Sequence, residues 1–285
     1  MKRKYVILLS ITSLIFVSCV NNELEIDWTD SEYYLSGYNS NYVQFLDHVS
    51  IVRTYNDVKT VNFTRLYNKG KLTKWINSAR EENFTELIYD QNWENIIEEC
   101  LVVEGEKISD NFYSYEYDNN SNEKITTVTD EKGNKKNYKE VQKKSGLYEC
   151  EISYENKIDK SKIRHEYKTA KFDKLKLIEY TVKDNLRNEL YRFEYKGNNL
   201  IKLSHYNGKS QALIFTYDYE YENNKLCKVI CKRYNNPSSE EEIIYTIFFS
   251  NFDSHGNWLK SERVYNKNDR TIINREIVYD DEIIE

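Results

Sequence analysis

The chain of 285 residues has 41 basic and 47 acidic side chains, a formal net charge of −6, and 14% aromatic residues. This length and aromatic content exclude a disordered segment and a small disulfide-stapled scaffold. The acidic balance, without a cluster of Lys and Arg, disfavours nucleic acid as a partner, because phosphate binding needs clustered positive charge.

The first residues of the chain have the pattern of an export signal. Lys2, Arg3 and Lys4 are followed by a mostly apolar stretch of 13 residues, Tyr5 to Val17, which is too short to span a bilayer. The stretch ends in Phe16-Val17-Ser18-Cys19, which resembles a bacterial lipobox. We therefore expect cleavage before Cys19 and lipidation of its thiol; ordinary signal cleavage beside a chance cysteine is the alternative.

A lipobox implies an extracytoplasmic protein anchored to a membrane by acyl chains. Val20 follows the lipidated position where an Asp would resemble a retention signal for the inner membrane, so we predict an outer membrane lipoprotein. Whether the chain faces the periplasm or the cell surface is left open. The predicted organisation is a signal peptide over residues 1–18, a tether over 19–42 and one domain over 43–285.

Four cysteines follow Cys19, and neither their spacing nor that of the histidines indicates a metal site. There is no Cys-x-x-Cys, the four histidines are scattered, and we predict no cofactor. Two of the cysteines lie four residues apart in an apparent strand, about 13 Å at strand rise, too far for a mutual disulfide. We interpret the four as small buried apolar residues, with disulfides as the alternative: Cys100, Cys150, Cys227 and Cys231.

The body of the chain alternates aromatic and charged residues with a period of two. Each such segment offers one aromatic and one charged face, as in Tyr113-Ser114-Tyr115-Glu116-Tyr117 and in Phe215 to Tyr221. Short turns rich in Gly and Asn separate the segments, as hairpins require. The sequence predicts an all-β fold, an antiparallel meander of repeated hairpins forming an extended, twisted or curled sheet.

A loose internal repeat runs through the carboxyl-terminal part. Tyr195 and Tyr221 lie 26 residues apart, as do Leu200 and Leu226. The segment Phe252-Asp253-Ser254-His255-Gly256-Asn257-Trp258-Leu259-Lys260 resembles the terminal unit of YD-repeat (RHS-type) proteins, especially of uncharacterised bacteroidete lipoproteins. The resemblance covers about residues 190–280 and implies a β-sheet repeat protein displayed outside the cytoplasm. It transfers no catalytic residue, and the chain is too short for a toxin-enclosing shell.

The sequence contains no motif for a catalytic nucleophile, a zinc protease or a phosphate loop. His255 lies in a predicted tight turn and is expected to be a solvated turn residue. Four aromatic residues have two readings, as part of the core or as a platform for a glycan or peptide: Tyr217, Tyr219, Tyr221 and Trp258. Trp258 follows the turn and is expected to pack on a neighbouring strand.

We therefore predict a non-enzymatic, membrane-anchored envelope lipoprotein that acts as a binding or scaffold module. Its expected partners are the membrane, through the lipid anchor, and a glycan or protein. Three alternatives come from other classes. A periplasmic carrier of lipid or another apolar ligand would need an enclosed cavity. An immunity or antitoxin-like lipoprotein would neutralise a toxin, and a glycan-active enzyme would need a cleft with paired carboxylates of perturbed pKa.

Overall fold

The structure is a computed structural model and describes most of the chain from residue 49 onward. Side chains are not described for residues 6–25, 49, 54–56, 61–63, 77, 144 and 164. Among the residues described, no helix has the length and hydropathy needed to cross a membrane. The described backbone comprises residues 6–10, 14–20, 23–25, 49–56, 61–68, 71–77, 82–93, 95–118, 121–144, 146–155, 164–174, 176–234, 241–265 and 269–279.

The amino-terminal residues form a small antiparallel sheet of their own. Its strands are β1 (Val6–Ser10), β2 (Leu14–Val20) and β3 (Glu23–Glu25), in that order. Cys19 lies in β2 opposite Leu24. This backbone pairing tests neither signal cleavage nor lipidation, which stay predictions, and residues 26–42 of the predicted tether lie outside the described part.

Eighteen further strands form a single antiparallel meander. Every strand pairs with its neighbours in the chain, as the alternating pattern predicts. In chain order the strands are β4 (Val49–Asn56), β5 (Val61–Asn68), β6 (Lys71–Asn77), β7 (Phe84–Tyr89), β8 (Ile96–Val103), β9 (Glu106–Asp118), β10 (Glu123–Asp130), β11 (Lys135–Lys144), β12 (Leu147–Glu155), β13 (Arg164–Asp173), β14 (Lys176–Lys183), β15 (Asn188–Lys196), β16 (Asn199–Asn207), β17 (Leu213–Glu222), β18 (Lys225–Arg233), β19 (Glu242–Phe252), β20 (Trp258–Tyr265) and β21 (Arg270–Tyr279).

The prediction of an all-β antiparallel meander is confirmed, but the meander closes into a barrel and not into an extended, twisted or curled sheet with free edges. The last strand, β21, pairs with β4 along its length, with Ile277 opposite Val52 and Arg275 opposite Thr54. Closure depends on the twist and coiling summed over all the strands, which no local pattern records.

A repeated hairpin geometry supplies the curvature. In four hairpins an aromatic residue lies opposite a leucine five positions later, and the register shifts by one residue at that point. Such a β-bulge bends the strand and increases its twist. The four pairs are Tyr67–Leu72, Phe172–Leu177, Tyr195–Leu200 and Tyr221–Leu226.

Tyrosine hydroxyls connect successive hairpins beside these bulges. Tyr195 donates to the carbonyl of Leu177 at 3.1 Å, and Tyr89 donates to the carbonyl of Leu72 at 2.9 Å. In each case the acceptor is the leucine of the preceding hairpin. A bulge interrupts the backbone ladder, and these hydroxyls provide a donor to the carbonyls there.

One face of the barrel wall is apolar and buried from β11 to β20, and the other is charged. The charged face carries cross-strand ion pairs such as Arg192–Glu179 at 3.3 Å and Lys228–Glu220 at 3.0 Å. Exposed pairs of this kind contribute about 0–1 kcal/mol each, so the buried cluster dominates stability. That cluster contains Tyr138, Cys150, Ile152, Ala170, Phe172, Tyr180, Val182, Tyr191, Leu203, Tyr217, Val229, Cys231, Ile247, Phe249 and Trp258.

The four cysteines beyond residue 19 are all free thiols. Cys100, Cys150 and Cys231 are buried, as expected of small apolar residues, and burial raises the pKa of each thiol. Cys227 is partly exposed at a bulge, where its Sγ donates to the carbonyl of Glu220 at 3.2 Å.

Closure of the barrel makes β4 and β21 interior strands, whereas in an open sheet they would be the two edges. In a closed barrel we expect their backbone amides to exchange as slowly as those of β12 and β13, because both sides of each strand are hydrogen-bonded. Hydrogen exchange read by mass spectrometry measures this. Fast exchange confined to one row of amides on each of β4 and β21 would contradict closure.

Candidate functional site

The turn that resembles a YD-repeat unit is centred on the Asp253 carboxylate. Its Oδ1 accepts hydrogen bonds from the backbone N–H groups of His255 and Asn257, at 2.9 and 2.8 Å. Its Oδ2 accepts from the Tyr279 hydroxyl at 2.5 Å, and that hydroxyl also accepts from the Asn257 amide at 2.8 Å. The carboxylate therefore fixes the turn between β19 and β20 and ties it to β21.

A buried arginine completes this cluster. The Arg275 guanidinium lies 3.5 Å from the centroid of the Trp258 ring and donates from Nε to the Trp258 carbonyl at 2.5 Å. Burial lowers the pKa of Arg275 to about 9, and Asp253 opposes that shift, so the group is cationic at neutral pH. These groups bind one another, and we assign the cluster a structural role at the seam between β21 and β4. His255 is exposed at its edge, as expected for a solvated turn residue.

Two further turns are also centred on an aspartate, which the sequence patterns did not reveal. Asp130 accepts from the N–H and the side-chain amide of Asn134, both at 2.8 Å, with Gly133 at φ +79°. Asp90 accepts from the corresponding groups of Asn95 at 3.2 and 2.9 Å. An Asp at the end of a strand, followed four or five residues later by an Asn, is the signal that would have found them.

Tryptophan occupies the third of these turns where the other two have glycine. In the turns of Asp130 and Asp253, Gly133 and Gly256 have positive φ and donate their N–H to the carbonyl of the aspartate. Trp93 makes the same hydrogen bond to Asp90 at 3.0 Å, with φ +58°. A left-handed conformation costs a non-glycine residue about 1–2 kcal/mol.

A second buried polar cluster lies on β13, where charged residues occupy the buried face of the wall and an aromatic residue is exposed. The carboxylate of Glu166 binds Lys168 at 2.9 Å and Arg187 at 2.8 Å, while Tyr167 between them is exposed. Arg187 also binds Asp184 at 3.1 Å. The charges are mutually paired on the buried face, so this network also has a structural explanation. None of these four charged residues was singled out from the sequence.

The aromatic residues singled out from the sequence lie on the buried face of the barrel wall. Tyr217 and Trp258 are 7% and 2% exposed and belong to the core cluster, and Phe249 packs on Trp258 with ring centroids 5.2 Å apart. Tyr219 packs against the cluster, and burial raises its pKa well above the ordinary value. Tyr221 is partly buried in its hairpin opposite Leu226.

Exposed apolar side chains concentrate instead on strands β7–β9. Six of the eleven large exposed apolar residues among those described lie between residues 88 and 117. Both faces of the sheet contribute, since Ile88 and Phe112 lie opposite Glu98, whereas Leu101 lies opposite Thr85 on the other face. The six residues are Ile88, Ile97, Leu101, Ile108, Phe112 and Tyr117, and we call the part of the wall on the face of Ile88 and Phe112 the β7–β9 surface.

The β7–β9 surface continues into a depression at the β7–β8 turn. Tyr89 and Trp93 stack there with ring centroids 5.5 Å apart and an interplanar angle of 15°. The Tyr89 hydroxyl is held by the Leu72 carbonyl, and the Tyr117 hydroxyl donates to Asn95 within the turn at 3.3 Å. The depression has a volume of about 550 Å³ and is lined by Asn68, Thr73, Glu86, Leu87, Ile88, Tyr89, Asp90, Gln91, Trp93 and Ile97.

Comparisons with known proteins give distant similarity to solved structures alone. No family model matches the chain, and no curated protein matches it. A crystal structure of TcdB2–TccC3 without its hypervariable C-terminal region is similar at 12% identity and a TM-score of 0.30. The match covers 84% of this chain and 17% of that one. Within the described residues no group of three or more His, Cys, Asp or Glu side chains is placed to hold a metal ion.

The hydrogen bonds of Asp253 predict that its replacement lowers the free energy of unfolding more than the replacement of Asp130 does. Asp253→Ala removes both turn hydrogen bonds and the bond to Tyr279, so we expect a loss of about 2–3 kcal/mol in the free energy of unfolding. Asp130→Ala, the matched control, removes only turn bonds and should cost about 1 kcal/mol. Urea denaturation measures both. Equal losses would contradict a role for Asp253 in holding β21.

Proposed function

We propose that the chain is a membrane-anchored, non-enzymatic binding module of the bacterial cell envelope, with the β7–β9 surface as its contact surface. The observation that carries the proposal is the uneven distribution of exposed apolar side chains. Six of the eleven among the described residues lie on three consecutive strands, with Ile88 and Phe112 on one face opposite Glu98, and exposed apolar residues that share a face are typical of interaction sites.

The amino-terminal pattern supports the membrane anchor. Basic residues, an apolar stretch and Ser18-Cys19 follow each other in the order of a lipoprotein signal. Several acyl chains on one cysteine would hold the domain stably at a membrane face. The YD-repeat resemblance of residues 252–260 fits a protein displayed outside the cytoplasm, and we propose the outer membrane as the site of attachment.

The arrangement of buried residues favours a binding module over a carrier of apolar ligands. A carrier would use the buried face of the curled sheet as its cavity. In the part of the chain that the structure describes, that face carries a cluster of side chains from β11 to β20 in mutual contact. The depression at the β7–β8 turn lies on the opposite part of the ring and contains Asn, Glu, Asp and Gln side chains, which suits a polar ligand.

The anchor is tested by replacing the lipidated residue. We expect Cys19→Ser to move the protein from the membrane fraction to the soluble fraction, or to leave it unprocessed, because no thiol remains for the acyl chains. Cys227→Ser is the matched control and should stay with the membrane. Cell fractionation followed by mass spectrometry of the amino terminus gives the result. Membrane attachment of Cys19→Ser with a normally processed amino terminus would contradict the proposal.

The contact surface is tested by a pair of equally exposed phenylalanines. Phe112 in the β7–β9 surface is 47% exposed, and Phe248 on β19 is 44% exposed. We expect Phe112→Ser to weaken co-sedimentation of the purified domain with isolated outer-membrane material by about tenfold or more, because the contact area would lose its aromatic residue. Phe248→Ser should have no effect. Equal behaviour of the two variants would exclude this surface.

A further inference from the structure

The stacked pair Tyr89–Trp93 and the polar residues around it form a site that combines an aromatic surface with hydrogen-bonding side chains. We propose that the depression at the β7–β8 turn binds an uncharged sugar residue of a glycan. This inference rests on the proposed function, since it names the ligand class for an envelope binding module.

Several contacts hold the aromatic pair in place. The Tyr89 ring is held by the bond of its hydroxyl to Leu72 and lies 5.1 Å from the Lys71 ammonium. The backbone of Trp93 is held by its N–H bond to the Asp90 carbonyl and by the Asp90–Asn95 bonds, and its ring stacks on Tyr89. A partly exposed aromatic surface of this kind, held rigidly, loses little entropy when the C–H face of a sugar ring stacks on it.

The polar lining matches the hydroxyl groups that surround a sugar ring. Asn68 and Gln91 each offer an amide donor and an amide acceptor, and Glu86 offers acceptor oxygens. The three side chains are exposed, and none makes a hydrogen bond to another described residue. They are therefore available to a ligand at the edge of the aromatic pair, and the volume of about 550 Å³ lies within the range of small-ligand sites.

The charge of the lining favours a neutral ligand over an anionic one. Glu86 and Asp90 are acidic, and none of the described residues that line the depression is basic, while the Lys71 ammonium lies beside it, 5.1 Å from the Tyr89 ring. A phosphate, sulfate or uronic acid would meet repulsion there. A protein partner is the other class of ligand, and the stacked rings with hydroxyl-matching side chains favour a neutral glycan over it.

The position of Trp93 in the turn strengthens this reading. Gly133 and Gly256 occupy the same turn position without strain, so a tryptophan at φ +58° is not required to make the turn. Trp93→Gly gives the Asp-x-x-Gly sequence of the Asp130 and Asp253 turns, in a turn that is one residue longer. It removes the aromatic platform while keeping the backbone conformation that the turn needs.

The test is calorimetric titration of the purified domain with neutral hexasaccharides of glucose, mannose, xylose and N-acetylglucosamine, and with hexagalacturonate as the anionic probe. We expect at least one neutral hexasaccharide to bind and hexagalacturonate to bind more weakly. Trp93→Gly should raise the dissociation constant at least about tenfold with the thermal midpoint retained, and Phe248→Ser should leave it unchanged. Asn68→Ala combined with Gln91→Ala, both exposed, provides a second variant and should weaken binding about threefold or more.

Each contrary result has a distinct meaning. Absence of binding to all the neutral hexasaccharides overturns the glycan site, as does tighter binding of hexagalacturonate or full binding by Trp93→Gly. If the wild-type domain still co-sediments with outer-membrane material through Phe112, the proposed function stands and the ligand is a protein. If hexasaccharides bind but the domain neither attaches to the membrane nor co-sediments, the glycan site stands and the envelope function fails.

Discussion

The bulged hairpin is the unit on which the rest of the structure depends. An aromatic residue packs opposite a leucine, the register shifts by one, and a tyrosine hydroxyl of the next hairpin reaches the leucine carbonyl in two places, Leu72 and Leu177. Each bulge adds twist, and each hydroxyl bond sets one hairpin against the next. A meander built of such units curls progressively, and here the curling brings β21 to β4.

Closure has a direct consequence for where the chain presents apolar surface. The buried cluster runs from β11 to β20, and the large aromatic residues of these strands pack against one another. Strands β7–β9 contribute none of the members of that cluster, and six of their large apolar side chains are exposed, on both faces of the sheet. The same ring therefore has one part that stabilises the fold and another that is available for contact.

The buried charges fit this division. Asp253, Tyr279 and Arg275 join the last hairpin to the closing strand, and Glu166 with Lys168 and Arg187 forms a matched ion network within the wall. Such groups are costly to bury unless they are paired. The turn centred on Asp90 contains Trp93, which lies outside the core cluster. Its ring stacks on Tyr89 beside exposed amide side chains.

The sequence by itself determined the strand content and the hairpin order. Alternation in segments such as Phe215 to Tyr221, with Gly and Asn turns between them, is a local property, and neighbouring strands pair because short turns leave them adjacent. The alternation also placed Tyr217 and Tyr219 on one face. The lipid anchor at Cys19 remains a prediction from the sequence.

Only the tertiary structure decided which faces are covered and where the ring closes. Ile277 and Val52 meet from opposite ends of the domain, and the burial of Trp258 requires Arg275 and Phe249 from neighbouring strands. Nothing local distinguishes Trp93 from a core tryptophan, because its partial exposure depends on which distant segments pack beside it. Local patterns fix strands through backbone geometry, whereas closure and exposure are sums over contacts between distant segments.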